Sequence, residues 1–494
     1  MTEFSTGGGM DVYLASECRE LDRIAIEEEG IEGFELMRRA GQAAFNELAR
    51  RWPDAGSVSV VCGKGNNAGD GYVIAGLARE SGFDVQLLQL DVGVLSGDAA
   101  LAVEFAARRG VTAQPGDGEL RGDVIVDALL GTGLSGELRE PYRSAVQRIN
   151  AVGCGVLAVD IPTGVLADTG MVLDPAVRAD VTVSFIGRKV GLHTGPGLDC
   201  CGEVVHDTLG VSDAVFDALP GCPLLRWSGD LLPVRPINAY KQGVGHLVIA
   251  GGDYAMSGAV LLAGEAALRA GVGLVSILTH QEHAAGIVSR RPELMVRNAS
   301  DEQVVRGLLG AASAVVLGPG LGRSSWAGAL YRRVVAANKP TLIDADGLRI
   351  AVEDGRPVLD EVLITPHAGE AGALLGCGNA EINEDRLDSA RRLGERVGGV
   401  AVLKGAGSVI ADAQNVVGIV AHGNPGMASA GMGDVLSGIA GGFLAQGLSL
   451  KAAAVAGATL HSAAGDAAAR CVGQRSLLAS DVTDAMIELL KGSG

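Results

Sequence analysis

The sequence predicts an α/β protein of two domains, each built on a mainly parallel sheet covered by helices. Three observations carry this. Short β-branched runs alternate with helical segments in two successive series, 74 glycines suit many tight strand-to-helix turns, and the regularity lapses once, from Leu209 to Pro236. At 494 residues the chain has room for more than one core, and an aromatic content of 3% leaves Ala-packed helices to fill them.

Leu14 to Arg51 has helical periodicity. Ser57 to Cys62 (SVSVVC) then opens a series of strands continued at Val85 to Leu90, Val124 to Leu129, Val156 to Ile161 and Val181 to Phe185. Alternation with helices makes this a doubly wound parallel sheet. A domain over residues 10–215 and a linker region over 216–235 follow, and residues 236–494 form the second domain. Its strands begin at His246 with HLVIAGG, then LVSIL, Ala314 to Leu317, Thr341 to Ile343, Val362 to Ile364 and Val400 to Leu403. Ligands in open α/β sheets bind at the C-terminal strand ends, where these runs meet loops rich in glycine, proline and charge.

The formal net charge of −18 argues against a nucleic-acid partner, because phosphate-backbone binding needs concentrated Lys and Arg. Eight cysteines form no CxxC pair and no zinc-type spacing with histidine, as expected of scattered thiols in a reducing compartment. No signal peptide is evident, and MTEFSTGGG is expected to be a disordered tail. His461 and Asp466 interrupt the Ala-rich run from Lys451 to Arg470, so a packed helix is expected there and no membrane partner. The expected location is cytoplasmic.

The most informative stretch is HGNPGMASAGMGDVLSGIAGG, His422 to Gly442. Gly431 and Gly433 stand where a helix begins, so free backbone N–H groups and the helix dipole face an anion. Asp434 in that first turn is placed to take a proton from a hydroxyl attacking a phosphoryl group. The plainer alternative is a glycine-rich helix start with an Asp favoured by the dipole.

Three loops of the first domain carry related chemistry. CGKGNNAGDGY places Asn66, Asn67, Ala68, Gly69 and Asp70 at a helix start. DALLGTGLSGEL follows Asp127 and contains Gly131, Thr132, Gly133, Leu134, Ser135, Gly136 and Glu137; its literal GxGxxG is a weak dinucleotide signal that also describes a tight turn. VDIPTGVLAD brings Asp160 and Thr163. Asn67, Asp127, Asp160 and Thr163 then share one sheet edge, and oxygen-rich groups of this kind suit a hard cation plus a catalytic carboxylate.

GNNAGDGY, DALLGTGLSGE and DIPTG closely resemble the signature of the NAD(P)H-hydrate epimerase family over most of residues 10 to 215. The resemblance implies a Rossmann-like three-layer α/β/α sandwich. It also implies that Asn66 to Asp70, Gly131 to Glu137 and Asp160 bind the damaged dinucleotide, with Asn67, Asp127 and Thr163 as potassium (K+) ligands. The family more often has serine at the position of Thr163, and the hydroxyl survives. Asp160 is the expected acid–base residue of epimerisation.

In the second domain AYKQGVGHLVIAGG, GPGLG (Gly318 to Gly322), DADGL, TPHAGE and LKGAGS precede the GMGD motif in order. This set resembles the NAD(P)H-hydrate dehydratases of the ribokinase-like superfamily, over about residues 236 to 491. The fusion resembles bifunctional repair enzymes that carry both activities. By that resemblance Lys404, Gly405, Ala406, Gly407 and Ser408 hold the nucleotide, with Gly433. Ala259, Gly320, His367 and Asp434 contact the hydrate (NADHX or NADPHX), ADP is the co-substrate, and magnesium (Mg2+) accompanies it. Glu370 either organises magnesium through water or caps a helix. Many relatives have threonine where Met432 stands, which removes a hydroxyl and leaves the backbone donors. A homo-oligomer is expected. Two other readings use the same residues: a small-molecule kinase of the ribokinase superfamily with an accessory domain, and an N-terminal RNA-binding or assembly module.

Overall fold

The computed structural model describes residues 11–90, 93, 95–134, 136–354 and 362–491; the expected tail MTEFSTGGG and the candidate Ser135 lie outside the described residues. The chain divides into two compact units, Met1–Pro223 and Leu224–Gly494.

In the first unit the single helical run expected from Leu14 to Arg51 is two helices, Ala15–Glu27 and Gly33–Arg51. Gly30 between them takes φ 72, which ends the first helix while the apolar periodicity carries across the break. Seven parallel strands follow in the spatial order Ala113–Pro115, Asp84–Gln89, Ser57–Cys62, Val124–Ala128, Gly155–Val159, Val181–Phe185 and Glu203–Asp207. Chain order reverses between Ser57–Cys62 and Val124–Ala128, so the crevice of this sheet opens where Asn67 and Asp127 stand. Side chains alternate along each strand between two cores. Val58, Val60, Val124 and Val126 fill one and Val61, Ile125 and Val156 the other, giving three layers. The strand expected to reach Ile161 stops at Val159, because Asp160 takes φ 68 and cannot continue a strand.

The second unit orders its parallel strands Met295–Asn298, Leu274–Thr279, His246–Ala250, Ala314–Leu317, Thr341–Ile343, Val362–Ile364 and Val400–Leu403, and Val409–Asp412 follows, antiparallel both to Val400–Leu403 and to the next strand, Val416–Val420. The last four parallel strands coincide with the expected runs. The antiparallel pair is absent from the sequence expectation; Asp412 Oδ1 accepts from Gln414 N and Asn415 N, both at 2.8 Å, and makes the turn between them. Helices Met432–Ala445 and Ser257–Arg269 pack at Gly438, where a Cβ would fall 2.1 Å from the Ala263 carbonyl oxygen. Lys451 to Arg470 lies inside the Leu450–Val472 helix, and among the described residues no helix is long and apolar enough to cross a membrane.

The 216–235 stretch is more structured than its composition suggests. Asp213–Ala218 is helical, Cys222–Leu225 is extended and Gly229–Leu231 is a 3-10 turn. Cys222 and Pro223 pair with Val12 and Asp11 in the first unit, and Leu224 and Leu225 pair with Ile419 and Val420 in the second. Their partners are remote in sequence. All eight cysteines are free thiols.

Candidate active sites

In the first unit Gly65 turns the chain from strand into the Asn66–Glu80 helix at φ 91, a conformation that favours glycine. Asn67 is 9% exposed, and neither its Oδ1 nor its Nδ2 has a hydrogen-bond partner. A buried amide left this way costs about 1–3 kcal/mol, so a ligand that completes it is stabilising. Opposite stands Gly131, where a Cβ would be 3.5 Å from Asn67 Cγ. One residue earlier, Leu130 N donates to Thr163 Oγ1 at 3.1 Å. Fully buried Asp127 accepts from Thr163 N and Thr163 Oγ1, both at 2.8 Å, and from Leu129 N at 3.2 Å. Burial pushes the Asp127 carboxyl up to about 6, against the pull of its Thr163 and Leu129 donors. An unpartnered amide, a carboxylate and a hydroxyl brought together from three separate segments fit a hard monovalent cation. Among the described residues no group of three or more His, Cys, Asp or Glu is placed to hold a metal.

Asp160 stands beside this group with a partner that no motif announced. Lys189, 3% exposed, donates from Nζ to Asp160 Oδ1 and to the Phe185 carbonyl at 3.0 Å. Burial works against the Lys189 charge, but Asp160 and the neighbouring acids outweigh it and hold its proton affinity above the ordinary lysine value. Asp160 also keeps its left-handed backbone, fixed by Asp160 N donating to the Val183 carbonyl at 2.8 Å. Asp70 is pushed well above the usual carboxylate range, first by burial and then by the charges of Asp160 and Asp22. The two carboxyls thus differ in surroundings: Asp160 is paired with a buried cation, and Asp70 is enclosed without one of its own.

The remaining loop candidates divide. Leu134, Gly136 and Glu137 line a surface cavity of about 360 Å³ with Leu130, Leu138, Arg139 and Tyr142. Gly133 is exposed with open space around its Cα, and Thr132 is half-buried. Ala68 and Gly69 face inward, Ala68 fully buried and Gly69 against Met37, so only their backbones are available to a ligand.

In the second unit Gly431 takes φ 89 and begins the Met432–Ala445 helix without a side-chain cap. Its first-turn N–H groups lack side-chain competitors. Asp434 is partly buried; burial and then the neighbouring Asp344 carboxylate push its carboxyl up to about 7, while Lys404 pulls the other way. Lys404 Nζ donates to Asp344 Oδ1 at 2.6 Å and lies 3.9 Å from Glu370 Oε2. Asp344 Oδ2 accepts from Ser437 Oγ at 2.8 Å. Burial opposes the Lys404 charge, but Asp344, Glu370 and Asp434 hold its proton affinity above the usual value. A Cβ on Gly433 would stand 3.4 Å from both Lys404 Nζ and Asp344 Oδ2, so Gly433 borders this cation directly.

The KGAGS loop rests on a residue without a motif. Arg386, 3% exposed, donates from Nη2 to the carbonyls of Leu403 and Lys404 at 3.2 Å, and a Cβ on Gly405 would meet its guanidinium at 2.8 Å. Ser408 Oγ donates to the Gly405 carbonyl at 3.1 Å and closes the loop, with Gly407 at φ 62 inside it and Ala406 between. Gly320 takes φ 56 and packs on Ala259, the two Cβ positions 3.0 Å apart. His367 and Glu370 form a capping box on the Ala368–Leu375 helix: His367 Nδ1 accepts from Gly369 N at 3.0 Å, and Glu370 Oε2 accepts from His367 N at 2.9 Å. Of the two roles open to Glu370, capping is the one its contacts display. The His367 side chain remains 54% exposed.

Residues 33–191 match the family described as YjeF-related protein N-terminus, and residues 247–488 match the family described as NAD(P)H-hydrate dehydratase. The bifunctional NAD(P)H-hydrate repair enzyme Nnr of Coxiella burnetii is 46% identical over 477 residues, covering 95% of this chain and 97% of the relative. Its namesake in Escherichia coli is 43% identical over 486 residues, covering 95% and 92%. A ribokinase-like superfamily protein from Enterococcus faecalis is similar in structure at TM-score 0.51 and 26% identity, covering 55% of this chain and 96% of that one. Similarity at this level runs through both units and nearly the whole length of these relatives, and the chain belongs to the family of bifunctional NAD(P)H-hydrate repair enzymes.

Proposed function

We propose that the first unit interconverts the R and S hydrates of NADH and NADPH, and that the second dehydrates the S form while converting ADP to AMP and phosphate. The observation that carries the second half is Asp434, whose carboxyl is pushed up to about 7 beside Lys404 and an uncapped helix start. A group with that proton affinity suits general-base work at neutral pH. In the reaction, the hydrate hydroxyl attacks the terminal phosphorus of ADP, its proton passes to Asp434, and AMP leaves. Backbone N–H groups at Gly431 to Gly433 and the Lys404 ammonium stabilise the transferring phosphoryl group. The phosphorylated carbon then loses phosphate and its neighbour loses a proton, which restores the ring double bond. Hydroxide would leave poorly from the same carbon. Lys404 to Ser408 hold the nucleotide, and Ala259, Gly320 and His367 contact the hydrate. Magnesium bound with the nucleotide would supply neutralisation of phosphate charge.

Epimerisation needs a proton carrier at the oxygen of the hydroxyl-bearing carbon. Asp160 takes that role, held in place by Lys189, and Asp70 supplies a second carboxyl whose proton affinity burial raises. Asn66 to Asp70 and Gly131 to Glu137 bind the dinucleotide around it. Asn67, Asp127 and Thr163, each from a separate segment, would hold potassium, whose charge would favour the ordered pocket. Residues 10–215 and 236–494 carry the two activities, joined through 216–235, in a cytoplasmic homo-oligomer that takes no nucleic-acid partner.

The test mixes both hydrate epimers with ADP or ATP, magnesium and potassium. Return of NADH absorbance with loss of both epimers is expected. Accumulation of a stable phosphorylated product instead of inorganic phosphate would turn the reading toward a kinase.

A further inference from the structure

The second unit carries a second, built feature at the C-terminal strand ends, outside the reacting group around Asp434. Tyr254 stacks on His280 with ring centroids 4.1 Å apart and planes at 21°, and His280 stacks on Trp326 at 4.1 Å and 23°. His283 meets His280 edge-on at 5.7 Å. The stack is fastened at its centre: Asp253, 7% exposed, accepts from Ser324 Oγ at 2.6 Å and Tyr254 N at 2.8 Å, and its Oδ1 lies 2.9 Å from His280 Nε2. Ala255, directly after Tyr254, is held at φ 64 without being glycine, a strained conformation that persists only where its surroundings determine it. Yet the outermost ring, Tyr254, is 64% exposed. A three-ring ladder anchored on a buried carboxylate and ending in an open tyrosine has the form of a platform for one more flat ring.

Its position says which ring. Asp253 N donates to the Gly320 carbonyl at 2.7 Å, and a Cβ on Gly320 would touch both Met256 and Ala259, so the stack is built on the loop that contacts the hydrate. The Ser257–Arg269 helix starts beside Tyr254 and reaches Gly431 with Leu262, whose Cδ1 lies 2.6 Å from a Cβ built on that glycine. At about 1.5 Å rise per residue, the stack stands on the order of 10 Å from the start of the Asp434 helix. The hydrated ring must lie at Asp434 to react, and a hydrated ring has lost the planarity that stacking uses. The flat ring of the same molecule, two riboses and a pyrophosphate away, is the adenine.

We infer that Tyr254, backed by His280 and Trp326, stacks the adenine of the dinucleotide hydrate and so selects a dinucleotide over its mononucleotide half. This rests on the dehydratase reading of the same unit. The full-length enzyme and its Tyr254→Ala and Tyr254→Phe variants are compared on NADH hydrate and on the hydrate of reduced nicotinamide mononucleotide, with ADP. Tyr254→Ala should raise KM for NADH hydrate about tenfold or more, the usual scale for losing one base stack, with kcat within about twofold. Tyr254→Phe should keep the parent KM. The mononucleotide hydrate should show no change between parent and Tyr254→Ala, and KM for ADP should not move. Equal losses on both hydrates, or a loss confined to ADP, overturn the assignment. Equilibrium binding of NADH and of reduced nicotinamide mononucleotide judges the stack without turnover. A parent that never dehydrates the hydrate defeats the functional reading, whereas NADH affinity unchanged by Tyr254→Ala defeats the stack alone.

Discussion

Lys189 donates its ammonium to the Asp160 carboxylate from a position that is 3% exposed, and it does so across 29 residues of chain. The pair brings a charge of each sign into one cleft, and neither residue can be removed without leaving its partner buried and unmatched. Asp160 itself sits at φ 68, so the carboxylate is aimed by a backbone that the Val183 and Phe185 contacts hold in place.

Asp160→Asn and Lys189→Met should each stop enzymatic epimerisation and spare dehydration. Acid–base contributions of this type are typically about 10²- to 10⁴-fold in rate. One epimer should be consumed at the parent rate and the other only as fast as it epimerises spontaneously, followed by chromatographic separation over time. If both epimers still vanish quickly in Asp160→Asn, the proton carrier lies elsewhere.

Asn67 provides a test of the cation. Its amide is buried without partners, so Asn67→Leu should remove a cost of about 1–3 kcal/mol in potassium-free buffer and raise the melting temperature of the first unit there. The parent should gain stability and epimerase rate from potassium over a bulky organic cation, and the variant should gain neither. A variant that still responds to potassium would place the ion away from Asn67.

Asp434→Asn should abolish dehydration while the epimerase persists, because the amide keeps the shape and cannot accept the proton. With the carboxyl pushed up to about 7, the parent's dehydration rate should fall as pH drops through that value. The stability sign runs the other way. The folded state keeps this proton to about pH 7 while an unfolded Asp releases it near 4, so the charge destabilises the fold as pH rises between the two. The melting temperature of Asp434→Asn should exceed the parent's at pH 8, and the gap should close toward pH 4. Equal melting temperatures at both pH values would show that Asp434 is not held protonated.

Gly433→Ala should fold and lose dehydration. The added methyl stands 3.4 Å from Lys404 Nζ, in the space a phosphoryl group must occupy to reach that cation. Turnover reduced with an unchanged melting temperature is the expected signature; full activity would move the phosphoryl position away from Gly433.

The sequence by itself determined the two α/β units, the strands at 314–317, 341–343, 362–364 and 400–403, and the helix starting after Gly431. These are local matters, because β-branched runs, glycines at positive φ and helix starts act within a few residues of themselves. It also brought Asn67, Asp127, Asp160 and Thr163 to one edge, since strand-end loops of a parallel sheet converge whatever their spacing. Tertiary structure decided the rest. Lys189 finds Asp160, Arg386 holds the KGAGS loop, Asp344 couples Lys404 to Ser437, and Tyr254 and His280 stack from two loops with Trp326 from the start of a helix. A buried charge or an aromatic ladder depends on what stands a few ångströms away in space. A lysine in RKVGL carries no mark of being enclosed until the fold closes around it.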